Sequence, residues 1–341
     1  MNARKIIKLV GIGLLGIVGL VVVLVVGLFV STNGSYSVPA TVADDPTLPS
    51  VTIDGVTFHA ETFGDSNNPV VVVVHGGPGG DYGYLLNLRA LSDDYFVVFY
   101  DQQGAGLSPR VPAEALTLQS SVDDLHRIVS YYGNGAPVRI IGHSWGAMLA
   151  AAYVGQHPDS VAQVVLAEPG ALDNAGLARF NERQAASSRS AAYYQLLIPT
   201  IFESMHLDAP DTEASMDYIY GKMSANFVNT AASGYRCEDE GVTAVAPDVP
   251  VPPSRFGTTA YKTLFGPNAD LSPIAVNAGS YDGDVLFIAS ECNSFIGEAF
   301  QLEQMGVFPQ AELAVIADAG HEMFSENPAE SLAAVRAFFG K

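Results

Sequence analysis

The segment Gly142-His143-Ser144-Trp145-Gly146 constrains this chain more than any other feature, because it has the form G-x-S-x-G. In that pattern a serine sits on a sharp strand-to-helix turn. The flanking glycines make room for a strained backbone that projects the hydroxyl outward. Such a motif carries weight only with a strand before it and a helix after it. Here Val138, Arg139, Ile140 and Ile141 read as a short buried strand. The stretch from Trp145 to Gln156 reads as a helix, closed by His157-Pro158. Ser144 is therefore the expected nucleophile.

Two further motifs stand upstream. Val70 to Val74 is a run of five valines, as in a strand buried on both faces. It leads into His75-Gly76-Gly77-Pro78-Gly79-Gly80, where glycine lets a backbone N–H approach a developing oxyanion closely. The strand from Tyr95 to Tyr100 runs into Asp101-Gln102-Gln103-Gly104-Ala105-Gly106-Leu107-Ser108. A hairpin around Asp54-Gly55 opens this part of the chain. Helix 121–132, the elbow strand and helix, and strand 161–167 continue a βαβ rhythm, which implies a mostly parallel sheet with helices on both faces. The rhythm stops near Ala171 and resumes after Pro273 with strand 285–289, helix 294–304, strand 311–316 and helix 328–339. The helix-prone, aromatic-rich interval, about 171–273, reads as an inserted cap.

This arrangement resembles the proline iminopeptidase group of α/β-hydrolases, whose members carry HGGPG, a DQRGxGxS segment and GHSWGG. The resemblance runs from about Thr52 to Lys341. It departs at Gln103, where the group has arginine, and at Ala147, where it has a second glycine. It implies an α/β-hydrolase fold and a nucleophile, acid and histidine in that chain order. His321, in Ala319-Gly320-His321-Glu322-Met323 after the last strand, is the expected base. The acid stays open. Most relatives carry it after the seventh strand, and there Ser290-Glu291-Cys292-Asn293 puts Asn293 in its place, with Glu291 as a neighbouring alternative. Glu168 closes the strand beside the elbow strand, where haloalkane dehalogenases carry their acid, and it is the preferred candidate. The expected oxyanion donors are the backbone N–H groups of Gly77 and Trp145, with Gly76 as alternative. Asp101 reads as a brace for its own loop.

Leu9 to Val30 is 22 residues without a charge, and at 1.5 Å per residue it spans roughly 33 Å, enough for a bilayer core. The run exceeds the apolar region of a cleaved signal peptide, and Phe29-Val30-Ser31-Thr32-Asn33 is a poor cleavage site. It reads as an uncleaved anchor over residues 9–30. Basic residues within 1–8 (Arg4, Lys5, Lys8) keep the N-terminus cytoplasmic and place the catalytic domain outside. No G-x-x-x-G pair occurs among its glycines, so helix dimerisation gains no support. Residues 31–50 read as an extended linker and 51–341 as the hydrolase domain.

The formal charge is −20, and since residues 1–30 hold three bases and no acid, the remainder carries −23. That balance argues against nucleic acid or anionic lipid as partners. Two cysteines, Cys237 and Cys292, form no metal spacing, and no metal or cofactor is expected. Outside the cytoplasm they permit a disulfide, with two buried thiols as the alternative. The functional expectation is a membrane-anchored serine hydrolase that cleaves an amide or ester of a small molecule or short peptide. The resemblance points to removal of an N-terminal proline. An esterase, lactonase or amidase with a neutral pocket is the runner-up, and a catalytically silent binding protein is the rival from another class. An amine clamp would draw on cap carboxylates among Glu203, Asp208, Asp211, Glu213, Asp217, Glu238, Asp239 and Glu240.

Overall fold

A computed structural model describes residues 3–187, 190–228, 234–237, 251–266, 269–308 and 310–340. Ten strands are present among them: β1 (Tyr36–Ser37), β2 (Ser50–Ile53), β3 (Val56–Phe63), β4 (Val70–Val74), β5 (Phe96–Tyr100), β6 (Val138–His143), β7 (Val161–Ala167), β8 (Leu207–Asp208), β9 (Asp284–Ser290) and β10 (Ala311–Ile316). Eight form one sheet in the order β10-β9-β7-β6-β4-β5-β3-β2. β4 to β7, β9 and β10 run parallel, and β3 is antiparallel to both its neighbours. The five valines explain why β4 is central. Val72 pairs with Val98 on one side and Ile140 on the other, and Val71 to Val74 are wholly buried. Each such side chain contributes about 1.5–3 kcal/mol by leaving water.

The helices are α1 (Ala3–Ser31), α2 (Leu118–Gly133), α3 (Trp145–Gln156), α4 (Asn174–Ser187), α5 (Ala191–Ser204), α6 (Ala214–Met223), α7 (Thr258–Leu264), α8 (Ser272–Ala278), α9 (Glu298–Gln304), α10 (Met323–Glu326) and α11 (Pro328–Phe339). α2 begins earlier than its apolar pattern predicts. Thr117 and Ser120 exchange side-chain-to-backbone hydrogen bonds in a capping box that starts the helix at Leu118. α9 begins later than predicted, at Glu298. Asn293 Oδ1 accepts the N–H groups of Phe295 and Ile296, holding the chain in a turn before the helix. Helices α4 to α7 fill the interval between β7 and β9 predicted as a cap. Parts of that interval, including Glu238, Asp239, Glu240, Pro247 and Pro250, lie outside the described residues.

α1 is exposed along its length and is apolar enough to cross a membrane. Residues 31–50, predicted as an extended linker, are instead largely held. Tyr36 and Ser37 pair in parallel with Leu207 and Asp208, Val42 N–H donates to Leu107 O, and Thr41 is buried. The anchoring group is Arg255, itself fully buried. Its guanidinium donates to Pro39 O (3.1 Å), Asp217 (2.9 Å) and Asp211 (2.7 Å). Asp217 also receives Arg110 Nε at 3.2 Å, and Arg110 reaches Ser108 O and Gly106 O. Cap, linker and the Asp101–Ser108 loop thus share one buried ion-pair network.

Candidate active site

Ser144 stands between β6 and α3 with φ 55° and ψ −119°, a conformation L-residues rarely hold. The glycines around it are there for space. A Cβ on Gly146 would lie 2.0 Å from Val74 O, and one on Gly142 would lie 2.4 Å from Gly146 O. Neither neighbour can yield, because both are backbone. The Ser144 N–H is held by Ala167 O at 2.8 Å, so β7 supports the turn directly.

The residue just past that strand end is decisive for geometry: Glu168 follows Ala167 at φ 42°, its side chain fully buried. Its Oε2 accepts His321 Nδ1–H at 2.7 Å and Asn293 Nδ2 at 2.7 Å. Its Oε1 accepts Ser290 N–H at 2.8 Å and Ser290 Oγ at 2.5 Å. Of the three predicted acid candidates, Glu168 bonds His321 and Asn293 bonds Glu168. Glu291 is exposed and accepts Asp318 N–H at 3.1 Å instead. Burial pushes the Glu168 carboxyl above its ordinary range, against the pull of the donors from Ser290 and Asn293. Burial and the positive charge of Arg236 hold the His321 imidazole well below its ordinary value. A neutral imidazole with Nδ1–H on Glu168 leaves Nε2 as its basic nitrogen.

Behind the elbow runs a chain of hydrogen bonds that sequence reading missed. His143 Nε2 faces the carbonyl of His321 at 2.7 Å, and a carbonyl can only accept. Nε2 therefore carries the proton, and Nδ1 accepts from Tyr84 Oη at 2.7 Å. The Tyr84 oxygen in turn accepts Gly76 N–H at 2.8 Å. Burial and the neighbouring His321 keep His143 neutral, pushed down to about 3. The relay joins the glycine loop to the His321 loop and engages the Gly76 N–H. Trp145, as first residue of α3, has an N–H with no partner inside the helix. Gln102 ties the same region together, donating to His75 O and accepting Trp145 Nε1–H, both at 3.0 Å. A tyrosine four residues past the glycine loop offers no local pattern by which to find it.

Asp101 braces its loop. Its carboxylate accepts His59 Nδ1–H (2.7 Å), Leu107 N–H (2.8 Å) and Tyr82 N–H (3.1 Å). Cys237 and Cys292 are joined as a disulfide, which sets the choice between a bridge and two thiols. Beside the bridge, Tyr235 O accepts His321 N–H at 2.6 Å, and Arg236 pairs with Glu322 (2.8 Å) and Glu326 (3.3 Å). Several cap carboxylates are already engaged. Glu203 holds Lys222, Asp211 and Asp217 hold Arg255, and Glu213 accepts Thr259 Oγ1. Aromatic rings line the region instead. Tyr235 lies 4.7 Å from the His321 ring, Phe295 5.0 Å from Tyr235, and Phe180 within 5.2 Å of both Phe295 and Phe265.

A central parallel sheet, an elbow after β6, and a histidine loop after β10 define the α/β-hydrolase fold. The family model described as the alpha/beta hydrolase fold matches residues 69–202. A proline iminopeptidase of Heyndrickxia coagulans is 43% identical over 100 residues, covering 29% of this chain and 34% of that enzyme. The chain thus matches about a third of that relative's length. Epoxide hydrolase 3 of Xenopus tropicalis is 27% identical over 297 residues, 83% of this chain and 75% of that protein. Among solved structures, the proline iminopeptidase of Mycobacterium smegmatis superposes with a TM-score of 0.57 at 21% identity, covering 85% of this chain and 97% of its own.

Proposed function

We propose that this chain is a membrane-anchored serine hydrolase that cleaves an amide or ester bond through an acyl-enzyme. The observation that carries the reading is the buried His321–Glu168 hydrogen bond of 2.7 Å, set beside a serine elbow with positive φ. In this reading Ser144 Oγ attacks the carbonyl carbon while His321 Nε2 takes its proton. Glu168 holds the Nδ1–H tautomer and offsets the imidazolium charge, and Asn293 holds Glu168. The N–H groups of Trp145 and Gly77 receive the oxyanion, since that of Gly76 is engaged by Tyr84. His321 then protonates the leaving amine or alcohol, and water releases the acyl group by the same route. An epoxide hydrolase mechanism needs an aspartate nucleophile, and the elbow holds Ser144. α1 holds the enzyme in the membrane over residues 9–30, with the disulfide-bearing domain outside.

Two substrates compete. Kinship with proline iminopeptidases supports release of an N-terminal residue from a short peptide. The engaged state of Glu203, Asp211 and Asp217, together with the aromatic lining, favours an uncharged acyl substrate. Hydrolysis of a prolyl arylamide and a short-chain aryl ester, measured side by side with Ser144→Ala as control, separates them. Ser144-dependent cleavage of the arylamide supports the peptidase, and cleavage of the ester alone retires it. Absence of fluorophosphonate labelling at Ser144 would establish the silent binding protein instead.

A further inference from the structure

We propose that the outward face of α5 is a membrane-docking surface, seated in the interfacial layer of the bilayer that α1 crosses. The proposal rests on the anchoring read above. On α5 and its C-terminal residue, Tyr194, Ile198, Ile201 and Met205 are 49%, 43%, 36% and 58% exposed. At 100° per residue these four positions fall within about 60° of one another, a single stripe. The opposite side is the packed one: Thr200 is buried and Glu203 is bound to Lys222 and Tyr218. A helix on a water-facing surface shows the reverse pattern, with its polar face outward.

The position of the stripe says what covers it. Next to Met205, His206 donates Nε2–H to Phe29 O at 2.8 Å, and its ring lies 4.2 Å from the Phe29 ring. Phe29 belongs to the last turns of α1, and it and Val30 are exposed. The β1–β8 pairing then fixes the chain just after the stripe to the chain just after the anchor. The stripe therefore starts where the membrane helix leaves the bilayer, and Tyr194 lies about 17 Å further along α5. Its chemistry points to the boundary between headgroups and acyl chains. Three apolar side chains with a tyrosine suit that layer. The −23 charge carried beyond residue 30 argues against attraction to anionic headgroups, so the surface proposed is a zwitterionic one and the contact is expected to be indifferent to salt.

The test uses the full chain in phosphatidylcholine vesicles, with single cysteines Ile198→Cys, Met205→Cys, Val18→Cys and Tyr131→Cys carrying an environment-sensitive fluorophore. Cys237 and Cys292 are bridged and do not compete for the label. With lipid brominated along the acyl chains, emission from positions 18, 198 and 205 is expected to fall about twofold, and that from exposed position 131 to stay unchanged. Quenching at 18 without quenching at 198 overturns the docking surface and leaves the anchor intact. A blue-shifted but unquenched label at 198 assigns the stripe to a second protein copy and also overturns it. Absence of quenching at 18 removes the anchor, and the proposal with it.

Discussion

Replacing Glu168 with glutamine keeps the shape of the side chain and turns one of its two acceptors into a donor. In the native site both oxygens accept, Oε1 from Ser290 N–H and Oγ–H, Oε2 from His321 and Asn293. An amide has two ways to sit there. With its NH2 toward Ser290 it opposes a backbone N–H that cannot change its role, at a cost of about 1–3 kcal/mol. With its NH2 toward His321 the imidazole proton moves from Nδ1 to Nε2, but Asn293, whose Oδ1 is held by Phe295 and Ile296 N–H, keeps its Nδ2 pointed at another donor, at a similar cost. Either arrangement leaves one buried donor opposed to another, and the second also puts a proton on the nitrogen that, in the proposed mechanism, receives one from Ser144. The variant also lacks the charge that offsets the imidazolium. Together these predict a fall in kcat of about 10³–10⁴-fold, which at 1.36 kcal/mol per decade is about 4–5.5 kcal/mol. The rate of fluorophosphonate reaction with Ser144 reads the same loss without knowledge of the substrate. A folded Glu168→Gln protein that labels within about threefold of the parent rate would refute the reasoning.

Tyr84→Phe leaves Gly76 N–H and His143 Nδ1 facing nothing, so unfolding free energy should drop by about 2 kcal/mol, measured by urea denaturation, with kcat lowered more than KM is raised. A parent-like midpoint would show that the relay holds nothing in place. Arg236 helps keep the His321 pKa down, and the base works only when unprotonated, so activity is lost as pH falls through that depressed value. Arg236→Gln raises it, and the acid limb of kcat/KM should move to higher pH; an unmoved limb contradicts the assigned cause. Changing Cys237 and Cys292 together to serine opens a closure across 55 residues and should cost about 2–4 kcal/mol, seen as a lower Tm than the oxidised parent. An equal Tm would mean the bridge closes nothing that unfolding opens.

Much of the scaffold was legible because its signals are local. Five valines mark a strand buried on both faces, and glycines at 142 and 146 mark an elbow whose neighbours leave no room for a Cβ. β10 and α11 fall within their predicted limits for the same reason. Helix starts were misjudged where a side chain decided them, Thr117 ahead of α2 and Asn293 ahead of α9. The surroundings of His321 were legible only as alternatives. Glu168 and Asn293 are 125 residues apart, and sequence set them in competition, whereas β7 and β9 are adjacent strands whose ends bring them together. The partnerships of Tyr84 and Arg255 span many residues without a repeating pattern, so only the packed chain reveals them.

The buried cation at position 255 has a mechanical meaning. Through Pro39 it grips the segment that follows α1, and through Asp211 and Asp217 it grips the helices inserted between β7 and β9. If α1 spans a bilayer as proposed, tension on it would pass through the segment held at Pro39 to Asp211 and Asp217. One guanidinium therefore ties the segment after α1 to the helices inserted between β7 and β9, and the domain is held there as well as at its N-terminal strand β2.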